Sequence, residues 1–229
     1  MTAKGAPGHI YGPVPSRRLG RSLGIDLVPY KACSYDCVYC QLGRTTCHTS
    51  RRRSYVDPAE VLTELKGRLS RGPAPDYISL AGSGEPTLCR GLEELISGIK
   101  ALTRIPVAVI TNGSLLSRLP VAEALLSADL VVPSLDAGDE KTFRLINRPC
   151  RGIGFGEMAR GLVEFGQSFR GRLDLEVFLV AGLNDSADQV KRIARLAERI
   201  APRRVQLNTV ARPPAESWAG AVSDRKSVV

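Results

Sequence analysis

Long apolar runs are missing from this sequence. No stretch approaches the roughly 18 apolar residues that a membrane-spanning helix needs, and residues 1–8 lack the apolar segment of a secretory signal peptide. We therefore expect a cytoplasmic protein that has no membrane as a partner. With 229 residues, 43% of them hydrophobic, the chain is long enough for one domain with a full core.

Aromatic residues are also scarce, at 5% of the chain, and they are not interleaved with the basic runs as in a typical RNA-binding signature. The net charge is nevertheless +9, from 32 Lys and Arg against 23 Asp and Glu. Arginine runs at 51–53 and 203–204 favour an anionic partner such as an RNA or a charged small molecule, although such runs are more often solvated surface. Charge alone does not identify the substrate.

The six cysteines show no disulfide pairing pattern, which fits a reducing compartment. Three of them, Cys33, Cys37 and Cys40, have the spacing CxxxCxxC, which can wrap a loop around one 4Fe-4S cluster. Each of the four irons takes a thiolate in a closed cluster, so three cysteines leave one iron open to a small molecule. The spacing therefore predicts a reactive cluster.

Two alternatives to a cluster remain open. A structural zinc site would need a fourth ligand, which Cys47 or His48 is close enough in sequence to supply. A disulfide plus a free thiol is the second alternative. On the cluster interpretation, Cys47, Cys89 and Cys150 are bystanders.

Short apolar runs alternate with amphipathic stretches, a pattern typical of a parallel sheet covered by helices. The pattern predicts an α/β fold in which the sheet curls into a whole or partial barrel. The predicted strands are 23–28, 76–81, 105–111, 129–135, 173–181 and 205–210. The predicted helices are 57–69, 92–102, 121–126, 155–165 and 187–200.

Polar motifs follow three of these strands directly. Residues 82–87 are Gly-Ser-Gly-Glu-Pro-Thr, residues 111–113 are Thr-Asn-Gly, and residues 134–136 are Ser-Leu-Asp. Singly, each motif is more often an ordinary turn or helix cap. Because ligands of parallel sheets gather at the C-terminal ends of the strands, we expect the motifs to converge with the cysteines.

Together these motifs resemble those of a radical S-adenosylmethionine (SAM) enzyme, from the branch of uncharacterised iron-sulfur oxidoreductases related to the wyosine-tRNA synthases. The resemblance covers about residues 10–215 and rests on 11–24, 33–45, 82–88, 111–114, 134–136 and 208–214. It implies a six-stranded partial (β/α) barrel, a 4Fe-4S cluster held by the three cysteines, and SAM chelated to the open iron.

The resemblance also assigns roles to individual positions. The superfamily often has Gly-Gly-Glu-Pro where this chain has Gly-Ser-Gly-Glu-Pro at 82–86, so the motif differs slightly and Gly84 and Glu85 are the best candidates for holding the methionine amine. Asn184 and Asp185 would border the substrate cavity. The implied cofactor contacts are Tyr39 and Val210 near the adenine, Gly84 and Glu85 at the methionine amine, and Asn112, Ser134 and Asp136 at the ribose or carboxylate.

The activity implied by the resemblance is reductive cleavage of SAM to a 5'-deoxyadenosyl radical. It requires a flavodoxin- or ferredoxin-type electron donor, and its substrate would be an RNA or a nucleotide. The other functional class is a non-catalytic zinc- or cluster-binding nucleic-acid module. Residues 1–215 are predicted to form the radical SAM core domain, and we expect 216–229, which show no periodicity, to be a truncated or artefactual tail.

Overall fold

The computed structural model describes residues 8–16 and 18–223, and each predicted strand and helix has a counterpart there. The strands are β1 Ile10–Ser16, β2 Gly20–Ile25, β3 Ala32–Cys33, β4 Cys47–His48, β5 Tyr77–Leu80, β6 Val107–Thr111, β7 Leu130–Pro133, β8 Arg172–Leu179 and β9 Arg204–Thr209. The helices are α1 Pro58–Leu69, α2 Leu92–Leu102, α3 Leu119–Leu125, α4 Glu140–Ile146, α5 Phe155–Ser168 and α6 Ala187–Ile200.

Seven strands form one sheet in the order β1-β2-β5-β6-β7-β8-β9, curled into a half-barrel. The six strands from β2 to β9 are parallel and correspond to the six predicted strands, so the predicted α/β partial barrel is confirmed. The seventh strand, β1, pairs antiparallel with β2 and was not predicted. It contains Pro13 and Pro15, which argue against a strand in the sequence but are tolerated at a sheet edge because one side needs no ladder hydrogen bonds.

The helices cover the sheet and close the core. Asp57 caps α1 by accepting from Ala59 N, as the Asp-Pro start of this helix predicts. Helix α4, Glu140–Ile146, was not predicted; its seven residues are mostly polar or charged and give only a weak apolar period. It is fixed by Asp139, which accepts from Thr142 N, and by burial of Phe143.

Residues 216–223 pack along the C-terminal edge of the sheet. Glu216 N donates to Val38 O over 3.0 Å, and Val222 N donates to Thr209 Oγ1 over 2.8 Å. Ala219 and Val222 are buried. The division at residue 215 stays a prediction, and residues 1–7, 17 and 224–229 of the predicted core and tail lie outside the described residues. Within the described ranges, no helix is both long and apolar enough to cross a membrane.

Candidate functional site

The cysteine loop, residues 31–40, lies across the C-terminal ends of β5 to β8. Two backbone hydrogen bonds fasten its start to the glycine motif after β5. Lys31 N donates to Ser83 O over 2.7 Å, and Glu85 N donates to Ala32 O over 3.0 Å. The glycine motif therefore forms one wall of the cysteine loop, as the position of both motifs after strand ends predicts.

A second wall comes from residues 146–150, which follow α4. Val38 N donates to Ile146 O over 2.9 Å, and Cys150 N donates to Ser34 O over 2.9 Å. Because main-chain groups on both sides of the loop are paired in this way, the positions of its three cysteines are set by the backbone.

The glycine motif and the cysteine loop approach each other so closely that residue 84 must be a glycine. A Cβ atom at this position would lie 2.1 Å from the carbonyl oxygen of Ala32, closer than any real contact. Gly82 has the same relation to Asp26, whose carboxylate would lie 2.4 Å from an added Cβ and which accepts from Ser83 N over 3.0 Å. Both glycines are thus explained by packing within the protein.

Each cysteine of the loop has a nitrogen donor within reach of its sulfur. Such hydrogen bonds stabilise thiolates and tune the potential of a metal centre. The pairs are Asn112 Nδ2 to Cys33 Sγ at 3.5 Å, Tyr35 N to Cys33 Sγ at 3.5 Å, Asn147 Nδ2 to Cys37 Sγ at 3.6 Å and Lys31 Nζ to Cys40 Sγ at 3.1 Å.

Burial raises the thiol pKa of two cysteines of the loop. It raises the pKa of Cys33 to about 12, with the Glu85 carboxylate adding to the effect, and it raises the pKa of Cys37 well above its usual value. Since metal ligation requires thiolates, binding of a cation or cluster here must displace protons.

The Glu85 carboxylate is buried and ties β5 to β6. Its Oε1 accepts from Thr87 N at 3.0 Å and from the hydroxyls of Thr87 and Thr111, each at 2.6 Å, while Oε2 accepts from Asn112 N at 2.7 Å. Burial raises the pKa of Glu85, and these donors oppose that rise. Through Asn112, Glu85 also orients the amide that contacts the Cys33 sulfur.

Asp136, which follows β7, links the other side of the cysteine loop to the rest of the protein in the same way. Oδ2 accepts from the Tyr39 hydroxyl at 2.5 Å and from Asn147 Nδ2 at 2.7 Å, and Oδ1 accepts from Phe178 N at 2.9 Å. Burial raises its pKa to about 6 although all three donors lower it. The Tyr39 ring stacks on Phe178 with centroids 3.9 Å apart. Asp136 therefore positions the aromatic residue of the motif and the amide near Cys37.

The structure brings most of the predicted site residues together through these contacts. Ser134 lies next to Glu176 of β8 in an isolated bridge, and Val210 follows β9 half-buried. In the described part of the chain no hydrogen bond links either side chain to the cysteine loop. Asn184 is buried, donating to Asp136 O and Phe178 O.

Four functional residues were missed by sequence reasoning, namely Lys31, Asn147, Phe178 and Asp26. Lys31 stands two positions before Cys33, so its closeness in sequence was a usable signal. Asn147 and Phe178 come from distant segments, and only the folded chain brings them to the loop. Asp26 falls inside the predicted strand 23–28, and only the structure, in which β2 ends at Ile25, places it after a strand end.

The three loop cysteines would suit the ligands of a 4Fe-4S cluster. Within the described ranges, no group of three or more His, Cys, Asp or Glu side chains converges as one metal ion requires. A 4Fe-4S cluster does not require the three sulfurs to meet at one point, because each thiolate binds a different iron. Three half-buried sulfurs, each near a nitrogen donor, suit that arrangement. Cys47 is exposed, and Cys89 and Cys150 are buried free thiols.

The fold and the site define a radical SAM protein, and comparison with known proteins agrees. Residues 27–197 match the model of the Radical SAM superfamily, so the chain belongs to this superfamily of enzymes. The predicted superfamily is thereby confirmed. The finer placement beside the wyosine-tRNA synthases has only loose support from the relatives and stays a prediction.

Among relatives, the chain is 47% identical over 218 residues to a protein named GTPase Obg from Brachyspira hyodysenteriae, covering 95% of this chain and 32% of the other. It is 37% identical over 210 residues to a UPF0026 protein of Methanocaldococcus jannaschii, covering 91% of this chain and 65% of that one. The chain thus spans about a third to two thirds of these relatives. A radical SAM methyltransferase from Sphaerobacter thermophilus shares the fold, with a TM-score of 0.62, 18% identity, and coverage of 90% of this chain and 60% of the other.

Proposed function

We propose that this protein is a radical SAM enzyme that cleaves SAM reductively to methionine and a 5'-deoxyadenosyl radical. The observation that carries the proposal is the docking of the CxxxCxxC loop onto the glycine motif through Lys31, Ala32, Ser83 and Glu85. This contact fixes the start of the cysteine loop against the glycine motif. Membership of the superfamily supports it.

When bound, a 4Fe-4S cluster would supply one electron to the sulfonium of SAM and thereby break a carbon-sulfur bond. Cys33, Cys37 and Cys40 would hold three irons and leave the fourth for the amine and carboxylate of SAM. Asn112 and Asn147 orient and donate to two of the sulfurs. The protein's task is to fix this geometry and to exclude water from the radical.

The remaining cofactor contacts are proposals of the same kind. Glu85 Oε2 accepts one hydrogen bond, from Asn112 N, so it keeps acceptor capacity for the methionine amine. Asn112 is half-buried beside Glu85, which suits a contact with the ribose or carboxylate. For Tyr39, Ser134, Asp136 and Val210 we keep the roles that the resemblance implies.

An anionic substrate such as an RNA is proposed from the basic edge of the site. Arg53 N donates to Leu88 O and Arg90 N donates to Arg53 O, so the arginine run lies against the segment that follows Glu85. Burial, with the charges of Arg90 and Arg118, lowers the pKa of Arg52. Arg52 is half-buried and donates to the carbonyls of Thr87 and Cys89, whereas Arg53 and Arg90 are exposed. Exposed arginines grouped in this way attract phosphate.

The electron donor is proposed to be a flavodoxin or ferredoxin, because the cluster needs a low-potential one-electron source. We also propose a cytoplasmic location, because the cysteines that would bind the cluster stay reduced there. The alternative of a zinc- or cluster-binding nucleic-acid module without catalysis has less support, because Cys47 is exposed and His48 Nε2 lies 3.2 Å from Ser34 O.

Incubation of the anaerobically reconstituted, dithionite-reduced protein with SAM tests the proposal. The expected result is release of 5'-deoxyadenosine and methionine, even without a substrate, and no release by Cys37→Ala. A reconstituted wild-type protein that neither binds nor cleaves SAM would end the proposal.

A further inference from the structure

Lys31 is a buried lysine beside the cysteine loop. Lys31 is only 3% exposed, and its Nζ lies 3.1 Å from Cys40 Sγ. The residue directly precedes β3, which carries Cys33. Lys31 is therefore fixed to the same short segment as the cluster cysteines.

A buried ammonium is costly unless an anion compensates its charge. No ion pair of the described residues includes Lys31, so a carboxylate does not provide this compensation within that part of the chain. The contact that its ammonium group does make is with the sulfur of Cys40. A Cys40 thiolate that ligates a cluster would provide the missing compensation.

The backbone of Lys31 strengthens this argument. Its φ is 58°, in the left-handed region that glycine or asparagine adopts at lower cost. The hydrogen bonds of its main chain, from N to Ser83 O and from Cys47 N to its carbonyl, would be available to either of those residues. The backbone therefore does not require lysine here, and the contact of its side chain is what distinguishes the residue.

The three cysteine sulfurs differ in the charge of their donors. Cys33 and Cys37 accept from neutral amides, whereas Cys40 accepts from an ammonium. A 4Fe-4S cluster with three thiolates is negatively charged and becomes more negative by one unit on reduction. A nearby buried cation stabilises the reduced form more than the oxidised form.

We propose that Lys31 is a positioning residue that holds the Cys40 sulfur and makes the cluster easier to reduce. This inference rests on the proposed function. The step concerned is uptake of one electron from a low-potential one-electron donor, with no bond broken and no proton moved. Lys31 compensates part of the charge that the electron adds.

The test is an EPR-monitored redox titration of the reconstituted protein with dithionite, after iron and sulfide analysis. Lys31→Met and Lys31→Gln are expected to retain the cluster and to shift its midpoint to a more negative potential. Lys31→Arg, which keeps the charge, should shift it less. Lys191→Met, on the exposed face of α6, removes the same charge far from the loop in sequence and should leave the midpoint unchanged.

Two outcomes would overturn the inference. One is a midpoint in Lys31→Gln equal to that of Lys191→Met. The other is a shift in Lys31→Arg as large as in Lys31→Gln, because charge would then not be the cause. Both leave the proposed function standing. A wild-type protein that takes up no iron and sulfide would instead refute the proposed function itself.

Discussion

The Tyr39 hydroxyl donates to Asp136 Oδ2 over 2.5 Å, and Asp136 in turn accepts from the Asn147 amide that reaches the Cys37 sulfur. One buried carboxylate thus links the aromatic residue of the cysteine motif to a hydrogen bond on a cluster ligand. Protonation of Asp136 would therefore affect both the hydrogen bond from Tyr39 and the hydrogen bond from Asn147.

The pKa of Asp136 predicts how stability changes with pH. Its folded pKa, about 6, is above its ordinary 3.8, so the folded protein binds this proton more tightly than the unfolded chain. The stabilisation is complete below pH 3.8 and is lost as pH rises through about 6. About two pKa units correspond to roughly 3 kcal/mol.

Urea unfolding of the cluster-free protein between pH 4 and pH 7, compared with Asp136→Asn, measures this effect. The free-energy difference between the two proteins should change over that range, with the wild type losing stability relative to the variant as pH rises. A difference that is constant with pH would contradict the account.

The identity of the cluster ligands is tested by cysteine replacement. Alanine at any loop cysteine should abolish the brown absorbance of the 4Fe-4S cluster, because each cysteine would hold one iron. Alanine at each of the other three cysteines should leave it. The loop set is Cys33, Cys37 and Cys40, and the control set is Cys47, Cys89 and Cys150. Loss of the cluster in Cys47→Ala would show that the three-cysteine interpretation is wrong.

Gly84→Ala should separate the glycine motif from the cysteine loop. The added methyl group would lie 2.1 Å from Ala32 O, and a backbone atom cannot move aside as a flexible side chain can. We expect a lower melting temperature and a smaller fraction of protein reconstituted with iron. Gly156→Ala, in α5 with no atom within 4 Å of the added group, is the matched control and should melt at or slightly above the wild-type temperature. Equal behaviour of the two variants would rule out the close approach.

Glu85→Ala should retain the cluster but bind SAM more weakly. Removing the carboxylate leaves Asn112 N and the hydroxyls of Thr87 and Thr111 without their acceptor, at a cost of about 2 to 4 kcal/mol in unfolding free energy. Glu85→Gln, which keeps one carbonyl oxygen, should lose less. Iron content, urea unfolding and equilibrium dialysis with SAM separate the three effects. Unchanged SAM binding in Glu85→Ala would remove Glu85 from the cofactor site.

The sequence predicted the parallel strands, because each is a short apolar run, and three of these runs end at a polar motif. It also predicted that the cysteines and the Gly-Ser-Gly-Glu motif would meet, since both follow strand ends. It did not predict β1, whose prolines are acceptable only at an edge, or the contact of Asn147 with Cys37, which depends on a turn after α4 that carries no pattern. Such pairings are set by three-dimensional packing and leave no period in one sequence.

The identities of the groups around Glu85 and Asp136 show the same limit. Sequence reasoning assigned both carboxylates to the cofactor, which stays a prediction. In the folded chain each also accepts several internal hydrogen bonds. The sequence did not predict these bonds, because most of their donors lie far along the chain.

The central claim is that three cysteines hold a 4Fe-4S cluster with one iron open to SAM. Iron and acid-labile sulfide analysis after anaerobic reconstitution, followed by EPR of the reduced protein with and without SAM, tests it most directly. The account predicts about four irons and four sulfides per chain and an EPR signal that changes when SAM is added. Bound zinc without acid-labile sulfide, or a cluster signal indifferent to SAM, would contradict it.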